Sequence, residues 1–101
     1  MWQVEVHPLV WDEDVVRLDP DARRRILRAI RRKLTVDPRA FGKPLAGPLR
    51  GYWRLRVDDY RVIYRIEDRR LVVVIVKVGI RRDAAIYSEA LPRLRKLGWL
   101  P

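Results

Sequence analysis

The chain has 101 residues, 49% of them hydrophobic, and a formal net charge of +10. That length holds one core and not two, and the apolar content excludes a wholly disordered chain. With no cysteine, disulfides and thiolate chemistry drop out, and a single histidine, His7, argues against a serine–histidine triad or a multi-histidine metal site.

The elements follow in chain order. Trp2, Val4 and Val6 alternate with Gln3, Glu5 and His7, the period of a half-buried strand. Leu9, Val10, Val15, Val16 and Leu18 lie among acids and predict a short first helix. Asp19-Pro20 is a helix start, with Asp as N-cap and Pro at the first helical position. Ile26, Leu27, Ile30 and Leu34 then form one apolar stripe. Pro38 disfavours helix at Asp37, so the second helix should end near Val36.

Residues 39–51 carry three of the five glycines and read as a loop. In 52–57, Trp53, Leu55 and Val57 alternate against Tyr52, Arg54 and Arg56. Asp58-Asp59 is a turn. In 60–66, Tyr60, Val62, Tyr64 and Ile66 face away from Arg61, Ile63 and Arg65. After a second turn, 71–78 is apolar and β-branched at nearly every position, the pattern of a central strand covered on both faces. Gly79 is expected to end it. Residues 84–97, with Pro92 inside, read as a short helix or turn followed by an irregular tail. Tight turns imply antiparallel neighbours. The expected fold is α+β: a small twisted antiparallel sheet with an N-terminal helical hairpin on one face, in a single domain over 1–101.

The longest apolar run, residues 71–76, is far short of the ~20 residues that cross a bilayer. The N-terminal residues show no basic segment before an apolar stretch, so no signal peptide is expected. A soluble cytoplasmic protein without membrane attachment is the expectation.

The charge is uneven. Residues 1–21 carry −5, residues 22–49 carry +8, and residues 50–101 carry +7. A basic body of this kind seeks polyanions, either nucleic acid or an acidic protein. The informative feature is the polar face of the strand pair. Arg54 and Arg56 share one face, Arg61 follows the two-residue turn, and Arg81 and Arg82 follow the last strand. On the face the helices leave open, these arginines would bind a phosphate backbone and stabilise charge on phosphorus oxygens. Tyr52, Tyr60, Tyr64 and Tyr87 offer surfaces for base stacking. The bland reading is that the arginines solvate an exposed sheet. A charged outer helix face over 23–33 is usually only solvated. Trp2 and Trp53 read as core, and the glycines do not fit a phosphate-loop spacing.

The segments Lys43-Pro44-Leu45-Ala46-Gly47, Gly51-Tyr52-Trp53-Arg54-Leu55-Arg56-Val57, Asp59-Tyr60-Arg61-Val62-Ile63-Tyr64, Val76-Lys77-Val78-Gly79-Ile80-Arg81-Arg82 and Tyr87-Ser88-Glu89-Ala90 strongly resemble the RelE/ParE superfamily of toxins from type II toxin–antitoxin systems. The resemblance covers essentially the whole chain and is most specific at residues 56–64. It implies the fold derived above. It also implies, on the RelE-like branch, a metal-independent endoribonuclease without cofactor that cleaves messenger RNA in the ribosomal A site. ParE-like members share the fold and poison DNA gyrase.

By the same resemblance Arg61 stabilises the reacting phosphate, Arg81 serves the leaving 5′ oxygen, and Tyr87 orients the RNA. Arg54 and Arg56 stand where RelE has two lysines, one of them proposed as general base. Arginine effectively cannot lose its proton, so that step must differ here. Ile80 stands where many relatives carry histidine or lysine. Arg82, Lys77 and Arg50 are the further cations expected to touch RNA. The implied partners are the ribosome with its mRNA, a cognate acidic RelB-like antitoxin that covers the arginine face or displaces residues 84–97, and operator DNA reached through that antitoxin. The alternatives are a gyrase poison and an inactive toxin fold that acts only in antitoxin binding and autoregulation.

Overall fold

The computed structural model describes residues 1–81 and 85–100. Five strands form one sheet in the order β1-β5-β4-β3-β2. They are β1 (Gln3–Val6), β2 (Lys43–Pro44), β3 (Trp53–Val57), β4 (Tyr60–Glu67) and β5 (Val72–Ile80). The long strands β3, β4 and β5 form an antiparallel meander, as the tight turns require. The first turn is Asp58-Asp59, with Asp58 at φ 52°; a left-handed backbone suits an aspartate better than a β-branched residue.

The α+β class is as expected, with one departure in pairing. β1 joins the sheet parallel to β5, with Gln3 opposite Val72 and Val6 opposite Ile75. It is connected by a long crossover rather than a hairpin, so the antiparallel rule for short connections does not apply to it.

On one face sits the N-terminal helical layer. The expected first helix is an irregular pair of turns, π-type over Val10–Asp14 and 3-10 over Val15–Arg17. Helix α1 (Pro20–Ala29) begins as predicted. The Asp19 side chain accepts a hydrogen bond from the Ala22 amide at 2.9 Å, satisfying one of the unpaired amides of the first turn. The helix continues as a widened turn over Ile30–Leu34. Ala22, Ile26, Ile30 and Leu34 are all buried. Steps of four overshoot the ~3.6 residues of an α-helical turn, so a wider turn keeps Leu34 closer to the line of Ile30 and Ile26. These side chains pack with Leu55, Val57, Val62, Tyr64, Val73, Ile75 and Val78.

The predicted loop over 39–51 holds more structure than expected. A one-turn helix α2 (Pro38–Phe41) precedes β2, and a 3-10 turn spans Gly47–Leu49. The fully buried Tyr64 donates its hydroxyl to the Pro38 carbonyl at 2.6 Å. Burial pushes its phenol well above the ordinary value. Gly42 makes room for it, since a Cβ there would lie 1.8 Å from the Tyr64 hydroxyl.

The other face is covered by helix α3 (Ala85–Lys96). This corrects the expectation of an irregular C-terminal tail and of a sheet face left bare of helix. Pro92 lies inside α3. Its missing N–H frees the Ser88 carbonyl, and Ser88 is exposed, so water can satisfy it. Ile86, Ala90 and Leu94 pack on Ile63, Val72, Val74 and Val76. β5 is therefore covered on both faces, as its composition predicts. Gly79 lies within β5 rather than ending it, and its α-carbon faces Ile86 of α3.

Strict alternation fails at one point in β5. Ile63 pairs with Lys77 and Tyr64 pairs with Ile75, so Val76 is an extra residue. Such a bulge turns the following side chains to the opposite face. Lys77 accordingly faces α3, and Val78 joins the core under α1. No helix among the described residues is long and apolar enough to cross a membrane.

Candidate functional site

The β3–β4 register sets Arg56 directly opposite Arg61, and β5 sets Gly79 beside Arg61 on its other flank. Across this row the face toward α3 reads arginine, arginine, glycine. Arg54 is two residues along the same face of β3. The Arg81 amide donates to the Asp59 carbonyl at 2.8 Å, which ties the end of β5 to the β3–β4 turn. Tyr87 stands in the first turn of α3, half-buried against the Ile86 cluster.

Arg61 is the centre. It is 8% exposed. One terminal nitrogen donates to the Asp58 and Tyr60 carbonyls, both at 2.9 Å, so its own hairpin anchors the guanidinium. Its Nε is buried with no partner. Burial pushes the guanidinium below its ordinary value. Tyr87 works the other way, and the like charges of Arg56, Arg54 and Arg81 add to the push. Tyr87, Arg54, Arg56 and Arg81 are thus each within electrostatic reach of Arg61. Arg61 still remains cationic at any ordinary pH.

Like charges opposite each other in a sheet are unfavourable, and acids are available to relieve them. Those acids are used elsewhere. Arg25, Arg39, Arg65, Arg70 and Arg93 each meet a carboxylate within 3.3 Å. Among the described residues no carboxylate lies within ion-pair distance of Arg54, Arg56, Arg61 or Arg81. A guanidinium anchored by its own hairpin, near cations that meet no carboxylate among the described residues, has the charge and the donors that suit an anion with several oxygens. A phosphodiester has that form.

Other expected site residues fall elsewhere. Lys77 was expected on the RNA-contacting surface, but the bulge at Val76 carries it into the interior. There it is bonded to Asp14 at 3.0 Å and to Glu89 at 3.3 Å. Arg50 is exposed at the end of the 3-10 turn. Arg82 lies outside the described residues. Of the four tyrosines expected to stack on bases, Tyr52 and Tyr64 are buried in opposite cores and Tyr60 packs under α1. Only Tyr87 stands beside the arginines.

The sequence reading missed Asp14 and Arg93, which meet under α3. They are 79 residues apart, and no local pattern marks either. Arg65 is a second omission. It lies over the Trp99 ring at 4.0 Å and pairs with Glu67, so it braces the chain beyond α3 rather than joining the site.

Comparison with known proteins gives a consistent set. Residues 11–85 match the family model described as the ParE toxin of type II toxin–antitoxin systems. Toxin YoeB of Streptomyces coelicolor is 39% identical over 77 residues, covering 72% of this chain and 82% of that protein. The mRNA interferase toxin RelE of Escherichia coli is 39% identical over 41 residues. That match covers 41% of this chain and 43% of the relative, less than half its length. A chain of the RelBE2 toxin–antitoxin complex of Mycobacterium tuberculosis superposes with a TM-score of 0.74 at 30% identity, covering 79% of this chain and 98% of that one.

Proposed function

Because the chain belongs to the ParE toxin family of type II toxin–antitoxin systems, we propose that it is an endoribonuclease that cuts messenger RNA in the ribosomal A site and thereby halts translation. The observation that carries this reading is the unpaired arginine set around the buried Arg61. The name mRNA interferase, borne by the similar E. coli protein, supports the same chemistry.

The reaction is attack of a ribose 2′-oxygen on the adjacent phosphorus. The P–O5′ bond breaks, leaving a 2′,3′-cyclic phosphate and a 5′-hydroxyl. Charge grows on the non-bridging oxygens in the transition state, and Arg61 is the donor fixed to receive it. Arg81 offsets the charge on the departing 5′ oxygen, which takes a proton from water to become the 5′-hydroxyl. Tyr87 orients the nucleotide by stacking or hydrogen bonding. Arg54 and Arg56 lower the cost of ionising the 2′-hydroxyl without accepting its proton. That proton passes to water or to a group on the ribosome. In this reading the guanidinium groups supply the charge that a metal ion supplies in other nucleases.

The partner that restrains the toxin is an acidic antitoxin of RelB type, matched to a chain of +10. Operator DNA is reached through it. A second reading, poisoning of DNA gyrase as the resemblance to ParE-like members implies, goes with the ParE name in the family description and requires no RNA chemistry.

The test is cleavage of a defined mRNA with and without programmed ribosomes, the cut sites mapped by primer extension. Ribosome-dependent cuts confined to the A-site codon are expected. Arg61→Ala should lower the rate by about 10²–10³, the usual cost of one transition-state donor. Cuts in free RNA would remove the ribosome from the reading. No cuts, together with loss of gyrase supercoiling activity, would replace it with the second reading.

A further inference from the structure

Resting on the ribonuclease reading, we propose that Asp14 is a positioning residue for the reaction: through Arg93 it fixes the placement of α3, and so holds Tyr87 beside Arg61.

Asp14 has a side chain 2% exposed. It accepts four hydrogen bonds: from Lys77 Nζ at 3.0 Å, from the Val78 amide at 2.9 Å, and from the two terminal nitrogens of Arg93 at 2.8 and 2.9 Å. Arg93 also donates to the Val76 carbonyl at 3.2 Å and to Glu13 at 2.9 Å. Lys77 reaches Glu89 at 3.3 Å. Three elements meet here: the first helical turn through Glu13 and Asp14, β5 at its bulge through Val76, Lys77 and Val78, and α3 through Glu89 and Arg93.

Tyr87 lies on α3 two residues before Glu89 and six before Arg93. The bulge gives the cluster its place, because it turns Lys77 toward α3 and leaves the Val76 carbonyl for Arg93.

The cluster is poorly suited to stabilising the fold. A buried ion network is often no better than apolar side chains of the same volume. Ile86, Ala90 and Leu94 already bury α3 on the sheet. What apolar burial lacks is direction. A helix seated on Val72, Val74 and Val76 alone is free to slide or rotate by a fraction of a turn. The bidentate Arg93–Asp14 pair has one geometry, and it fixes both the height and the rotation of α3. An ångström at Tyr87 matters to a reaction at Arg61, where charges must meet oxygens within hydrogen-bond range.

The discriminating variant replaces the network by apolar groups: Asp14→Leu with Lys77→Met and Arg93→Leu. The expected result is a folded protein with Tm close to wild type and unchanged affinity for RNA, since the arginine set is intact. kcat should fall by about 10²-fold with KM within about twofold. Adding Tyr87→Phe should then cost little more, because Tyr87 is already displaced. If the triple variant does not fold, Arg93→Gln serves, since Lys77 still neutralises Asp14, and the same non-additivity with Tyr87→Phe is expected. Wild-type kcat in a folded variant, or losses that multiply with Tyr87→Phe, would overturn the proposal. Amide hydrogen exchange in α3 is followed in parallel and needs no activity. Exchange about tenfold faster at residues 87–93 is expected. Should the wild type cut no RNA, the ribonuclease reading fails, and unchanged exchange in the variant would overturn the positioning role separately.

Discussion

The two faces of the sheet contrast sharply. Under α1 the interior is apolar from Val10 to Val78, and its one buried hydroxyl, on Tyr64, is bonded. Under α3 the apolar patch is smaller, and it is bounded by an ion network at one side and by unpaired arginines at the end of the strands. The closed face can carry the stability of the molecule, because every contact there lowers the free energy of the fold alone. The other face tolerates Arg56 opposite Arg61, an arrangement that folding by itself would not favour. The difference separates what holds the protein together from what it holds ready.

That separation can be broken by substitution. Leu34 is fully buried under α1, and Leu34→Ala should cost about 2–5 kcal/mol in chemical denaturation. RNA affinity of the fraction that remains folded should be unchanged; a parallel loss of affinity would mean the faces are coupled. Gly42→Ala probes the border between the regions, since the added Cβ would meet both the Tyr64 hydroxyl and, at 3.0 Å, the Arg54 carbonyl. The carbonyl belongs to a sheet strand and cannot swing away. A loss of about 1–3 kcal/mol is expected, read as a lower denaturation midpoint. Arg56→Gln should have the smallest effect on stability, within about 0.5 kcal/mol and in the favourable direction, because an exposed like charge is removed. The same change should weaken RNA binding and lower the slope of log affinity against log salt by about 0.7. An unchanged slope would take Arg56 out of the interface.

The closed face was largely legible in the sequence and the open face only in part. Asp19-Pro20, the Ile26–Ile30–Leu34 stripe and the alternation of Trp53, Leu55 and Val57 are local patterns with a single structural meaning. Arg54, Arg56 and Arg61 could be put on one face from the same alternation, Arg81 and Tyr87 could be named as candidates beside them, and resemblance supplied the roles of the last two. The bulge at Val76 could not be read, because Val72–Val78 is apolar at every position but one and carries no turn residue. The burial of Lys77 therefore went unseen, and with it the partners Asp14 and Arg93. Pro92 weakened the case for α3, although the helix runs through it, with Ser88 four residues before on the exposed side. The bare sheet face was an error of the same origin, since a helix not foreseen cannot be placed.

The parallel pairing of β1 with β5 has a consequence in time. The meander from β3 to β5 closes through short turns and can assemble from neighbours in the chain. β1 must find Val72–Ile75 across some seventy residues, and closing so long a loop is slow in comparison. Until it does, one edge of β5 presents unpaired backbone groups to any other extended chain. In the folded protein β1 covers that edge, and a chain in which it has not docked is open to mispairing there.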